Sequence, residues 1–260
     1  MKYIKFAILF LCSVQLYAQS ICHTDIMNGE PLIPVDKTKQ FVKYNFSDLW
    51  LHTENDLIYG IIGNEHQRIL IKFLEIVKDP VNPAQYVVKG KSSVKGNVCS
   101  FKGKITIQEI KESKRVNFGV DDEFKGIAKT QGLLIAKYEL FEDKVQKYAG
   151  VFSGILKTKW YLDKNNSLKY DNININSDGY FNNAFVGAWK IYDNGLSKKC
   201  NWGDYRVPNS NCDFDIGAGE FNVSEKYMKN GWVDIRLKNM APNPAIIKTK
   251  GAAKKKDWWM

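Results

Sequence analysis

Between Phe185 and Glu220 the chain collects residue types that recognise or transform other molecules. Trp189 and Trp202 are followed by Asp204, Tyr205 and Arg206, then by Asp213, Asp215 and Glu220, with Cys200 and Cys212 enclosing part of the stretch. An arginine beside carboxylates and aromatic rings offers charge-assisted hydrogen bonds and flat apolar faces. That combination suits a glycan, a polar small molecule or a peptide, and it makes Trp202, Asp204, Tyr205, Arg206, Asp213 and Asp215 the candidate binding residues. The same composition also describes a cross-linked loop that only holds the fold.

Asp213-Phe214-Asp215-Ile216-Gly217 has the alternation that opens a calcium loop. The full loop needs a third side-chain ligand and a late acidic residue, and Glu220 comes too early for that. Aspartates that cap backbone amides are the alternative. Asp213, Asp215 and Glu220 also suit a glycosidase-like acid pair, whose mechanism is decided by carboxylate separation. No Gly-x-Ser-x-Gly elbow, phosphate loop or dinucleotide fingerprint occurs. His23, His52 and His66 lack a nucleophile context, and His66, beside a hairpin turn, reads as an exposed structural histidine. Without CxxC or Cys/His spacing, neither a metal site nor a cofactor is expected. A non-catalytic binding protein therefore ranks first, a structural or envelope-associated protein without ligand second, and a hydrolase third.

The compartment follows from the N-terminus. Lys2 and Lys5 precede an apolar run from Phe6 to Leu16, and Leu16-Tyr17-Ala18 supplies a small residue for cleavage, with Gln19 next. Residues 1–18 thus read as a signal peptide and the protein as periplasmic or secreted. Ile21 before Cys22 argues against lipidation at that cysteine. In an oxidising compartment Cys22, Cys99, Cys200 and Cys212 allow three pairings. Cys200–Cys212 is favoured because the segment between them is rich in Gly, Pro, Asn and Ser, which leaves Cys22–Cys99. A formal charge of +10 suits an anionic glycan or envelope surface, or simply a solvated lysine-rich exterior. Nothing suggests nucleic acid.

The elements that would position these residues are strands. An irregular lead-in (19–54) packs through Phe41, Tyr44, Phe46 and Trp50, and an antiparallel β domain (55–240) precedes a basic tail (241–260). Leu57–Ile62 and Arg68–Val77 form a hairpin across Gly63-Asn64-Glu65. Asp79–Pro83 breaks the chain, short strands follow around Tyr86–Val88 and Val94–Val98, and Phe101–Ile110 alternates with Ile105, Ile107 and Ile110 inward. Gly132–Phe141 and Tyr148–Leu162 continue the series. Ser224–Lys229 is the one expected helix, with Gly231 ending it, and Trp232–Leu237 the last strand. The expected fold is an all-β antiparallel meander, forming a barrel or a pair of curved sheets. Lysines interrupt the rows that an integral membrane barrel would turn to lipid.

Phe-x-Gly recurs at Phe101, Phe124, Phe152 and Phe185, where the ring is expected to lie over the glycine two residues on. Gly187-Ala188-Trp189 is similar to the Gly-x-Trp of lipocalin-like barrels. It lies in the last third of the chain instead of near its start, so no family is assigned.

Overall fold

The computed structural model describes residues 21–22, 26–27, 29–235 and 257–260. The expected signal peptide, the Cys22 side chain and most of the basic tail lie outside the described residues. The chain runs β1 (Ile21–Cys22), α1 (Thr38–Phe41), α2 (Ser47–Trp50), β2 (Ile58–Ile62), β3 (Gln67–Lys78), β4 (Gln85–Val94), β5 (Asn97–Glu112), β6 (Ala128–Glu142), β7 (Gly150–Asp163), β8 (Leu168–Tyr170), β9 (Asn182–Ile191), β10 (Ser197–Asp204) and β11 (Ser210–Asn211). Each long strand pairs antiparallel with its sequence neighbours, and β6–β7 and β10–β2 contacts complete a closed eight-stranded barrel. β8 is an extra short strand on β7, and β1 pairs with β11.

Strict alternation sorts side chains to the two faces of the wall. Ala136, Tyr138, Leu140 and Glu142 are buried on β6, whereas Lys137, Glu139 and Phe141 between them are exposed. On β5, Ile105 and Ile107 point inward, and a bulge between Ile107 and Glu109 shifts the register so that Ile110 does too. Closing the sheet leaves only short edges.

Several local expectations change. The two short strands around Gly90 and Gly96 are one continuous β4, a turn at Lys95-Gly96 and the start of β5. Ser224 and Gly231 do bracket a helix, but it is a 3₁₀ turn over Glu225–Asn230. Trp232 sits in a turn and Val233–Ile235 is helical, so the expected last strand does not form within the described residues. Its packing explains why: Trp232 is fully buried with Phe214, Phe221, Val223 and Tyr227 against the outer side of β2, and its indole donates to the His66 carbonyl at 2.8 Å.

The Phe-x-Gly reading also needs correction. Phe101 covers Gly90, its register partner on the neighbouring strand, not Gly103. Phe124-Lys125-Gly126 lies in a turn before β6. Gly154 and Gly187 face each other across β7 and β9, and the Tyr138 hydroxyl fills the space both leave open. The ladder direction, which sequence spacing does not carry, decides which ring meets which glycine.

The interior is layered. A middle layer of aromatic rings contains Trp202, Phe185, Tyr138, Phe73, Phe101 and Phe152, with Trp202 stacked on Phe185 at 4.6 Å between centroids. One end is plugged by α1 and α2: Phe41 lies 4.6 Å from Trp160, and Trp50 donates to Thr158 at 2.9 Å. The other end, where the β2–β3, β4–β5, β6–β7 and β9–β10 turns meet, has no such cover among the described residues.

Candidate functional site

The stretch singled out by residue type is distributed over this fold, and Trp189, Trp202, Asp204, Arg206 and Asp215 are buried in it. β10 carries Cys200, Trp202 and Asp204 on one row, directed into the barrel. Trp202 is 1% exposed and belongs to the aromatic layer. Asp204 is buried at the plugged end, where its Oδ2 accepts hydrogen bonds from Thr53 Oγ1 at 2.7 Å, Tyr170 OH at 2.8 Å and Asn183 Nδ2 at 2.7 Å. Burial pushes its pKa up to about 7, against the opposing pull of those three donors. Tyr205 is half-buried at a positive φ of 67°, its ring 5.5 Å from Tyr180.

Arg206 is 1% exposed. Its Nη1 donates to Asp215 Oδ2 at 2.5 Å and to the Gly217 carbonyl at 3.1 Å, and its Nη2 donates to the Ala218 and Gly219 carbonyls, both at 2.7 Å. Asp215 Oδ1 accepts the amides of Gly217 and Asn222. Asp213 is exposed and is held by Lys226 at 2.8 Å and by the Tyr227 hydroxyl, which keep its pKa low. Asp213 and Asp215 therefore have separate partners, and Glu220 is exposed on the turn that Arg206 grips. No group of three or more His, Cys, Asp or Glu among the described residues is placed to hold a metal ion.

Both expected disulfides are overturned. Cys99 and Cys200 are free and buried. They sit on the inward rows of β5 and β10, so alternation carries Cys200 into the barrel while Cys212 lies beyond β11. His66 is corrected as well: it is 3% exposed, packed against Phe214 and Tyr227, and burial lowers its pKa.

A different constellation occupies the unplugged end. A cavity of about 810 Å³ opens there, walled by Ile69, Ser92, Cys99, Glu142, Phe152 and Trp189, with the turn residues Lys95 and Leu196 and Lys198 of β10 at its rim. Glu142 is its one buried carboxylate: Oε1 accepts the Ser92 hydroxyl, and Oε2 accepts the Gly150 amide at 2.8 Å and the Trp189 indole at 2.9 Å. Burial raises its pKa while those donors hold the ionised form. The Cys99 thiol is pushed up to about 11, chiefly by burial and then by Glu142, so it is a poor nucleophile. Two further cavities, of about 680 and 750 Å³, lie on the outside of the wall. One is beside Asp171 and Tyr180, the other beside Arg68 and Trp259.

Composition gave no reason to select Glu142, which reads as a turn residue beside Asp143. Phase does mark it, because it continues the inward row Ala136, Tyr138, Leu140. A carboxylate in step with a core row is the signal. No protein-family model matches the chain, and no curated protein and no solved structure matches it either.

Proposed function

We propose that this is an exported, non-catalytic binding protein that holds one small molecule in the open mouth of its barrel. The carrying observation is the asymmetry of the two ends, one sealed by Phe41, Trp50 and Trp160 and the other hollowed into a cavity of about 810 Å³. Eight strands enclose an interior just wide enough for side chains or one small ligand. The volume lies within the usual range for small-molecule pockets, and Ile69, Phe152 and Trp189 give it an apolar wall beneath a polar rim. The binding role moves from the Cys200–Cys212 region, whose side chains serve the fold, to the mouth.

Export rests on the N-terminal pattern and is supported by the cysteines. Cys212 is disulfide-bonded while Cys99 and Cys200 are free. The β1–β11 ladder sets Cys22 opposite Ser210, two residues from Cys212, so Cys22 is its proposed partner. No helix among the described residues is long and apolar enough to cross a membrane. The lysine-rich exterior suits an anionic glycan or envelope surface as a docking partner, separate from the cavity.

Trp189 forms part of the cavity wall and reports on occupancy. A titration of the mature protein with the apolar dye N-phenyl-1-naphthylamine is expected to give saturable dye fluorescence, with energy transfer from tryptophan reduced in Trp189→Phe. Absence of saturable binding, together with an unchanged melting temperature, would favour the structural protein without ligand.

A further inference from the structure

The chemistry of the mouth cavity points beyond "small molecule", and this step rests on the cavity being the ligand site. Its wall is apolar at Ile69, Phe152 and Trp189 and carries one buried anion, Glu142. Three donors meet that carboxylate, but only one of them, the Ser92 hydroxyl, reaches Oε1. A carboxylate oxygen offers two lone-pair directions, so Oε1 retains one. The influences acting on Glu142 are burial and those three hydrogen bonds, with no cation among them. The titratable groups coupled to it are the Cys99 and Cys200 thiols and the Tyr192 hydroxyl, and Glu65, Lys95, Tyr148, Lys198 and Lys199 line the same cavity. Lys144 is directed at the Tyr192 ring, 5.3 Å from its centroid. Hydrogen-bond donors offset part of the desolvation of a buried carboxylate and a cation offsets more, and Glu142 has only the donors.

We infer that the cavity takes an amphiphile with a protonated amine head, which donates to Glu142 Oε1 while its apolar body lies along Phe152, Ile69 and Trp189. The lysines at the rim do not oppose this. Lys95 and Lys198 are exposed, where salt screens their field over roughly 8 Å. Lys199 also lines the cavity, but its ammonium is engaged by the Asn209 carbonyl at 2.5 Å. Glu142 acts from a water-poor wall, where attraction to a cation is stronger than at the surface.

The test compares n-decylamine, 1-decanol and decanoate, equal in chain and different in head, against the mature protein at neutral pH, below their aggregation concentrations. Displacement of N-phenyl-1-naphthylamine and the shift in melting temperature are read together. Decylamine is expected to bind about tenfold more tightly than decanol, the effect of one charge-assisted hydrogen bond, and decanoate most weakly. Glu142→Gln is expected to bring decylamine to the level of decanol. Ser92→Ala, which leaves the carboxylate in place, is expected to retain the amine preference even if Glu142→Gln does not fold. Decanol and decanoate binding as well as decylamine would overturn the amine assignment and leave the cavity reading standing. Failure of all three to displace bound dye would overturn the assignment alone, and a protein that binds neither dye nor amphiphile would overturn both.

Discussion

Arg206 and Asp215 form an ion pair at 2.5 Å in which both side chains are withdrawn from solvent. The guanidinium also holds three consecutive carbonyls, Gly217 to Gly219, and so fixes the turn that follows Asp215. Arg206→Ala would leave a buried carboxylate without its cation and three carbonyls without their donor. A loss of about 3–5 kcal/mol is expected. Urea unfolding of the variant measures it, and decylamine binding at the mouth should be unchanged in the folded fraction. A variant as stable as the wild type, with altered ligand binding, would return Arg206 to the recognition role that its residue type suggested.

Asp204 makes stability depend on pH. Its folded pKa of about 7 lies above the ordinary 3.8, so the folded state binds the proton more tightly. Its contribution is fully present below about pH 3.8 and is lost as the pH rises through 7. Asp171, raised to about 6 by burial, acts in the same sense over a narrower window. Between pH 4 and 7 the wild type should lose stability relative to Asp204→Asn, at up to ~1.4 kcal/mol per pH unit. Parallel melting curves for the two proteins across that range would refute the assignment.

Thiol accessibility separates the cysteines. In denaturant without reductant, Cys99 and Cys200 should alkylate and Cys212 should not. A non-reducing peptide map is expected to contain a Cys22–Cys212 linked peptide. Recovery of a Cys200–Cys212 peptide would contradict the inward placement of β10.

The Gly154–Gly187 pair admits no side chain. A Cβ on Gly187 would press on the Ser153 carbonyl, the Gly154 backbone and the Tyr138 hydroxyl together. Overpacking of this kind costs ~1–3 kcal/mol or more. Gly187→Ala should therefore lower the denaturation midpoint far more than Ala188→Gly, a change at the half-buried neighbouring position.

Strand identity was largely legible, because alternation records which face of a strand is buried. The β2–β3 hairpin, the break at Asp79–Pro83 and the inward set Ile105, Ile107 and Ile110 were all visible in the pattern. The roles of residues between Phe185 and Glu220 were not. An arginine flanked by aspartates has one composition whether it faces a ligand or clamps a turn, and burial decides between them. Glu142 was hidden for the opposite reason: it stands among turn residues, and its inward row becomes meaningful only once the strand is known to reach that far.

By itself, the sequence determined that this is an all-β antiparallel meander, since period-two burial and turn residues act within a few positions of each other. Closure of that meander into a barrel came from tertiary structure, as did the plugging of one end by α1 and α2 and the hollow around Glu142 at the other. Each depends on contacts between residues far apart in the chain: Trp50 with Thr158, Ser92 with Glu142, Glu142 with Trp189. Those pairings follow from strand register, a property of two segments together, and local pattern carries only one segment at a time.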